Sequence, residues 1–235
     1  MSYKLDVPLK TDGMGFVFTD EKGQSQISSE IVSNWIFRKA FEDVIIGLTL
    51  SLIQAYTLLE IKERSQRSTA IPFESAEAIQ NEIDKIGIQA RKLPFPALID
   101  NIESHISDTL FFKEEIISIN QIRNCLVHKN GIVQNAQMSL KYIDSKVSVK
   151  TADSVVELTK EVKDQNIPIQ GMSFEEIRRE NNFRAGDKVQ ISSDMFKAIT
   201  YTCIRFVHEM IRNLPIPEDQ KTSLIQPMMA TLVIK

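Results

Sequence analysis

The longest periodic stretch of the sequence, from Ser29 to about Glu63, constrains the fold more than any other feature. Ser28 or Ser29 is suited to cap the start of a helix there. The pattern predicts a helix of roughly 35 residues, which is roughly 50 Å long. Apolar side chains nearly surround it between Val44 and Leu52, so we expect it at the centre of a bundle. The residues at helical spacing on its predicted inner face are Ile31, Trp35, Ala40, Val44, Leu48, Ile53 and Leu59.

The same stretch also bears on whether the protein is embedded in a membrane or located in the cytoplasm. Its most hydrophobic part, from Val44 to Leu59, is shorter than the roughly 20 residues that a membrane span needs, and polar residues interrupt it. Residues 1–10 contain no apolar run of the kind found in secretory signals. Cys125 and Cys203 lie among apolar neighbours, which predicts buried free thiols in a reducing compartment. Together these features favour a soluble, cytoplasmic protein without a membrane partner.

Four further helices are predicted. A second helix from about Glu74 to Leu93 is ended by Pro94 and Pro96, and a third follows to about Ile106. A fourth runs from about Lys113 to His128, where the Asn130-Gly131 pair predicts a stop with a left-handed cap. The last begins after a cap at Ser192 or Ser193 and ends near Asn213.

The segment between the fourth and last helices has a different character. Partial alternation from Tyr142 to Leu158 predicts a short hairpin, and residues 188–191 predict a short strand. Residues 173–181 are predicted as one or two helical turns. The expected fold is therefore mostly α, a bundle of about five helices with a small mixed or β insertion before the last helix. The predicted divisions are an N-terminal arm (1–26), a helical domain (27–214) containing the insertion (132–190), and a C-terminal tail (215–235).

The charge balance limits the partners that the chain is suited to bind. The formal net charge is −3 and the isoelectric point is about 5.7. Permanent binding to duplex DNA or ribosomes usually needs a basic excess, because phosphate neutralisation supplies most of the affinity. Nucleic acid is therefore expected at most as a transient substrate held by a local patch, and not as a permanent partner. No Cys or His cluster has metal-ligand spacing, so no metal or cofactor is predicted.

Polar residues at the end of the fourth helix form the candidate site. Asn124 and His128 are four residues apart and share one face. Arg123 is five residues before His128, which on an ideal helix is about 140° round and about 7.5 Å along. Either the length of the arginine or a second copy of the helix is needed for both to reach one phosphate.

These residue types suit phosphodiester chemistry without a metal. An imidazole can exchange a proton with a ribose hydroxyl or a leaving oxygen, and a guanidinium matches phosphate oxygens. Arg123 would bind the phosphate, His128 would transfer protons and Asn124 would orient the histidine. A helix C-terminus favours the cationic imidazole, which suits a general acid slightly better than a base. The plainer alternative is a surface ion pair with a helix cap.

The motif also resembles a known one. Arg123, Asn124, His128 and Gly131 near the end of an apolar helix resemble the Arg-x4-His motif of HEPN domains, where a polar residue commonly follows the arginine. Residues 186–192 and the final helix resemble the closing part of some HEPN proteins. The resemblance covers roughly Ser29 to Leu214, and the motif is its one sharply specific part.

The resemblance implies a metal-independent endoribonuclease. HEPN enzymes of this kind form homodimers in which the motif helices meet near the dyad, and cut RNA to leave a cyclic phosphate and a 5′-hydroxyl. They serve in toxin–antitoxin systems, anti-phage defence or RNA processing, which implies a possible antitoxin or defence-system partner protein. Asn130 stands where the subset paired with nucleotidyltransferase antitoxins has tyrosine, so that pairing is not implied.

Other readings stay open from the sequence. The chain could be a catalytically inactive HEPN-like module that dimerises or binds a protein or nucleotide partner, or a structural domain with the motif in salt bridges. His105 is predicted to be a solvated surface histidine, and His208 a half-buried one near Glu209 or Arg205. A basic cluster in the insertion is predicted to be a solvated face rather than an RNA guide; its members are Arg178, Arg179, Arg184 and Lys188.

Overall fold

The fold is mostly helical, with a β insertion before the last helix, as the sequence predicts. In the part of the chain that the structure describes, five helices and three strands are present. The structure is a computed structural model that describes residues 29–67, 76–106, 108–134, 137–150, 155–157, 171–218 and 221–222. The predicted N-terminal arm (1–26) and most of the predicted C-terminal tail lie outside these residues.

The first helix, α1 (Ser29–Arg67), is the central element and contacts each of the other four helices. It ends four residues later than predicted. Leu48, Leu52 and Leu59 are buried on its inner side. Trp35 is 62% exposed, so its predicted place on the inner face is wrong. Helical spacing defines a face, but only the neighbouring elements decide how far along the helix that face is covered.

Over Trp35–Gln66, α1 is long and apolar enough to cross a membrane, judged by length and composition. Core helices of soluble proteins meet the same criterion. Only 33% of its most apolar window is buried, because apolar residues such as Ile46 and Leu50 lie on the surface. Helix α1 therefore has an exposed apolar side as well as a buried one.

The next three helices are α2 (Ala76–Ala90), α3 (Phe95–Ser104) and α4 (Lys113–His128). The predicted bounds of α4 are confirmed. Helix α2 ends three residues before the predicted Leu93. Helix α3 begins two residues before the predicted Ala97 because a proline occupies its first turn, where a fixed φ and a missing N–H are tolerated.

A three-stranded antiparallel sheet forms the insertion. Its strands are β1 (Gln137–Lys150), β2 (Val155–Glu157) and β3 (Gly171–Arg184), in the order β2-β1-β3. The predicted hairpin is confirmed by the pairing of Val149 with Val156. The predicted helical turns at 173–181 are wrong, since the whole segment pairs with β1. Residues 188–191 are not a strand either; Lys188 forms a single bridge with Ile132.

The last helix, α5 (Ser193–Asn213), begins at the predicted cap. The Ser192 hydroxyl accepts a hydrogen bond from the Met195 N–H at 3.2 Å. The buried face of the helix includes Ile199, Cys203 and Phe206. Cys203 is a free, fully buried thiol, as predicted, and burial raises its pKa to about 12.

Side-chain hydroxyls from two helices attach the sheet to the bundle. Because β2 pairs with β1 only at Ser148–Lys150, the described residues provide no strand partner for the same edge of β1 further upstream. There, the hydroxyl of Ser118 on α4 accepts from the Lys141 N–H at 2.9 Å, and the hydroxyl of Thr202 on α5 accepts from the Ile143 N–H at 2.8 Å. The edge amides that would otherwise lack partners are thus bonded to the helices that carry the candidate site.

Replacing Thr202 by valine should destabilise the protein by about 1–3 kcal/mol, because the buried Ile143 N–H would lose its acceptor. Urea unfolding followed by circular dichroism measures the change. Thr200→Val is the matched control: the Thr200 hydroxyl is half-buried and bonds only the Phe196 carbonyl of its own helix. Equal losses in both variants would contradict the role assigned to the Thr202 hydroxyl.

Candidate functional site

The buried face and the C-terminal stop of helix α4 determine where the motif residues lie. Ile116, Ile119 and Ile122 are completely buried, so the opposite face carries the polar residues. Asn130 and Gly131 have positive φ values of 51° and 77°, and the Gly131 N–H donates to the Cys125 carbonyl at 3.0 Å. This left-handed stop confirms the predicted helix end and fixes His128 in the last turn.

Arg123 is the half-buried member of the motif. One terminal nitrogen donates to the Asn124 side-chain oxygen at 3.1 Å, and the other lies 3.7 Å from the Glu42 carboxylate on α1. Its Nε is buried without a hydrogen-bond partner in the described chain. The long ion pair with Glu42 leaves the guanidinium incompletely satisfied, because a buried guanidinium normally uses all of its donors.

His128 and Asn124 are exposed. Within the described residues, no hydrogen bond or ion pair engages the His128 imidazole, and none joins it to Arg123. The carbonyl of the preceding residue, Val127, accepts from Arg38 of α1 at 3.4 Å. The structure therefore places Asn124 beside Arg123 and leaves His128 as a free imidazole at the end of the helix. Arg123 instead turns toward α1.

Arg123 and Asn124 line an open groove of about 500 Å³ between α1, α4 and the start of α3. We call it the α1/α4 groove. Ile46 and Leu50 of α1 line it and are 43% and 48% exposed, and Phe95 lines it from the start of α3. An arginine next to exposed apolar side chains on a concave surface is typical of binding sites.

The predictions for the other histidines had different outcomes. His105 is not a solvated surface residue: its Nδ1 donates to the Asn101 carbonyl at 2.7 Å, and its Nε2 lies 2.8 Å from the Glu63 carboxylate. The partner Glu63 is on α1, 42 positions away, so local sequence could not reveal it. His208 is half-buried with Nδ1 3.8 Å from Glu209, as predicted.

The pKa values of these two histidines are shifted in opposite directions. The hydrogen bond to the Asn101 carbonyl raises the pKa of His105, and the Glu63 carboxylate adds to this rise against the effect of partial burial. Burial lowers the pKa of His208. Both groups lie outside the motif and act on stability.

Ligand atoms of Glu60, Glu63 and His105 lie within 4.8 Å of one another, close enough to share a cation. The same groups already take part in an ion-pair network, because Arg64 lies 3.5 Å from Glu60 and His105 bonds Glu63. The network links the C-terminal end of α3 to α1. Two members of the basic cluster in the insertion also form ion pairs. Arg178 lies 3.4 Å from Glu115, and Arg179 lies 3.4 Å from Asp144.

Comparisons with protein-family models, curated proteins and solved structures gave no match. The resemblance to HEPN domains thus depends on the motif residues and on their position at the end of α4. Trp35, Arg38 and Lys188, which gather near that end, were not singled out as a site from the sequence. In the sequence, the pair Trp35 and Arg38, three residues apart on one helix, is the feature that could have indicated a site. The helical spacing of Trp35 with other apolar residues instead predicted a core position.

The free energy of unfolding should fall as the pH rises above about 6.5, the usual pKa of histidine in unfolded chains. The pKa of His105 is raised by folding, so its stabilising contribution is complete below that pH and is lost as the pH passes the folded value. Urea unfolding of wild type and His105→Asn between pH 5.5 and 8.5 measures this, and the variant should show a smaller decline.

His208→Asn is the control with the opposite sign. Because folding lowers the pKa of His208, its contribution is present above the unfolded value and lost as the pH falls. Replacement of His208 should therefore leave the decline of the unfolding free energy with rising pH unchanged or make it steeper. An unchanged decline in His105→Asn would show that the Glu63 contact does not stabilise the protonated histidine.

Proposed function

We propose that the protein is a metal-independent endoribonuclease of the HEPN type. The observation that carries the proposal is the state of Arg123. Its half-buried side chain lines the α1/α4 groove and, within the described residues, has one hydrogen bond and one long ion pair; five residues later, His128 is exposed and has no partner in the same part of the chain. A site of this kind has a fixed cation for phosphate and a free group for proton transfer.

The reaction follows from these two groups. The ribose 2′-oxygen attacks phosphorus and forms a cyclic phosphate, while the bond to the 5′-oxygen breaks. A base must accept the 2′-hydroxyl proton and an acid must protonate the leaving 5′-oxygen. Arg123 would donate to the non-bridging oxygens, whose charge grows in the transition state. Asn124, which bonds Arg123 in the structure, would orient the guanidinium as well as the substrate.

Two copies of the motif supply both proton-transfer roles. Arg123 and His128 lie about 140° apart round one helix, which prevents both from reaching one phosphate easily within a single chain. In a homodimer, one His128 would act as base and the other as acid, with both Arg123 side chains close to the phosphate. The expected result is one composite site per dyad.

The α1/α4 groove is the surface that suits a second copy. Ile46 and Leu50 are exposed there beside Arg123, and an isolated monomer would leave this apolar area in water. Burial of this surface would bring the two α4 helices toward each other. The same contact accounts for the low burial of the apolar α1 helix.

Glu42 would not prevent phosphate binding. Its carboxylate lies 3.3 Å from Lys39, closer than the 3.7 Å to Arg123. Glu42 therefore keeps a cationic partner when Arg123 turns to a substrate. A phosphate in place of the distant carboxylate would keep an anion at the guanidinium and would accept charge-assisted hydrogen bonds from it.

A second candidate is a catalytically inactive HEPN-like module that dimerises or binds a partner. The pairing of Arg123 with Asn124 and Glu42 favours it, as does the acidic net charge. We further propose a cytoplasmic location. A role in a toxin–antitoxin or anti-phage system, with an antitoxin or defence partner, fits either candidate.

The purified protein should cleave single-stranded RNA in EDTA and leave 2′,3′-cyclic phosphate and 5′-hydroxyl ends, identified by mass spectrometry. His128→Ala should lower the rate about 10²-fold or more, because proton transfer typically contributes that factor. Arg123→Ala should also be strongly impaired.

His105→Ala is the matched histidine control, since it lies against Glu63, about 30 Å along α1 from Glu42. It should retain cleavage at a temperature where it is folded. Full activity in a folded His128→Ala variant would eliminate the proposed chemistry. Absence of cleavage by the wild type, combined with partner binding that tolerates both motif substitutions, would instead establish the inactive module.

Leu50→Asp and Ile46→Asp should convert a dimer to a monomer and abolish cleavage, because a charge would be placed in the apolar contact. Sedimentation velocity measures the oligomeric state. Ile88→Asp is the control: Ile88 is 54% exposed in a separate groove between α1 and α2. It should remain dimeric.

A mixing experiment tests the composite site directly. Addition of excess His128→Ala protein to the wild type should lower activity more steeply than the fraction of wild-type chains falls, because a heterodimer has one histidine and the composite site needs two. Activity that falls only in proportion to the wild-type fraction would show that each chain cleaves with its own Arg123 and His128.

A further inference from the structure

A small pocket of about 180 Å³ lies beside the C-terminal end of α4, between the beginning of α1 and the segment that precedes α5. We call it the Trp35 pocket. It is distinct from the α1/α4 groove, and the two share no lining residue. The residues that line the pocket include Trp35, Arg38, Leu126, Asn130, Lys188 and Gln190.

Trp35 provides an aromatic surface at this pocket. It is the sole tryptophan of the sequence and is 62% exposed. Arg38 is one helical turn further along the same side of α1, and its guanidinium donates to the Val127 carbonyl, directly before His128. The aromatic ring is therefore close to the end of the motif helix. An exposed indole next to a guanidinium is a typical stacking platform for a nucleobase.

The pocket carries positive charge that no acid neutralises among the described residues. In the described part of the chain, neither Arg38 nor Lys188 has an ion-pair partner, and no acidic residue lines the pocket. Nearby cations behave differently, since Lys39 pairs with both Glu42 and Asp43. In a protein of net charge −3, this local excess marks a place where an anion is favoured.

Two exposed amides complete the polar groups. Asn130 is held in the left-handed conformation that ends α4, so its position relative to His128 is fixed. Gln190 lies between the buried residues Val189 and Ile191, which directs its side chain to the surface. An amide side chain has both donors and acceptors and can bond the edge of an unpaired base.

We propose that the Trp35 pocket binds one nucleotide of single-stranded RNA, with the base stacked on Trp35 and a phosphate between Arg38 and Lys188. This inference rests on the proposed function, because the nucleotide would flank the linkage presented to His128. A base in a duplex cannot stack there, since both of its faces are covered. The pocket thus makes the protein selective for unpaired RNA.

The test uses the His128→Ala protein in EDTA with a 2′-O-methyl hexanucleotide, so that no cleavage occurs. Emission from Trp35 reports on the pocket alone, because the chain has no other tryptophan. We expect saturable quenching by the single strand and much weaker quenching by the same sequence in a duplex. With a dye-labelled strand and anisotropy, Trp35→Ala should bind roughly tenfold more weakly or worse, and Trp35→Phe should stay close to wild type.

The cation variants extend the test. Arg38→Ala and Lys188→Ala should each weaken binding and lower its salt dependence. Lys85→Ala should change neither, because Lys85 lies on α2 beside Glu82, which pairs with Arg64 near the end of α1 opposite to Trp35. Trp35 is exposed, so its replacement leaves the core intact and the loss of affinity can be read directly.

Three results would overturn the inference: unchanged emission while anisotropy shows binding, wild-type affinity in Trp35→Ala, or emission that shifts on dilution without RNA. The last would place Trp35 in a protein interface. None of these depends on catalysis. If the protein binds RNA through Trp35 but does not cleave it, the proposed nuclease activity is refuted and the proposed nucleotide pocket is supported. If the protein cleaves RNA but its affinity does not depend on Trp35, the pocket is refuted and the nuclease activity is supported.

Discussion

The packing of α4 between α1 and the sheet fixes the directions in which Arg123 and His128 project from the helix. Ile116, Ile119 and Ile122 are fully buried, and burial of each such side chain contributes about 1.5–3 kcal/mol relative to exposure. The Ser118 hydroxyl adds a bond to β1 from the same helix. Rotation of α4 would expose these residues and break that bond, so Arg123 is held toward α1 while His128 stays at the surface.

Electrostatics at the site are determined by incomplete pairing. Arg123 has one hydrogen bond, one long ion pair and one buried donor without a partner, and thus retains capacity for an anion. Arg38 and Lys188, which have no ion-pair partner among the described residues, provide a second cationic region beside the C-terminal end of α4. Cations in two local positions would let an acidic protein contact RNA, as proposed, without a basic surface overall.

The long helix α1 combines two surfaces. Its inner side forms the centre of the core through residues such as Leu48, Leu52 and Leu59. Its outer side exposes Ile46 and Leu50 at the α1/α4 groove, with Trp35 about 16 Å further toward the N-terminus. The proposed dimer contact and the proposed base stacking would thus use separate parts of one helix, and the length of helix between them would set their separation.

The sequence by itself determined the elements whose signals are local. The bounds of α4, the Ser192 cap and the Asn130-Gly131 stop follow from helical periodicity and capping chemistry within a few residues. Only the tertiary structure decided that residues 171–184 are a strand, because β1 provides the hydrogen-bond partners for a segment in which helical turns are predicted at 173–181. Likewise, the Glu63 partner of His105, the Glu42 contact of Arg123 and the exposure of Trp35 depend on residues far apart in the chain, which no local pattern records.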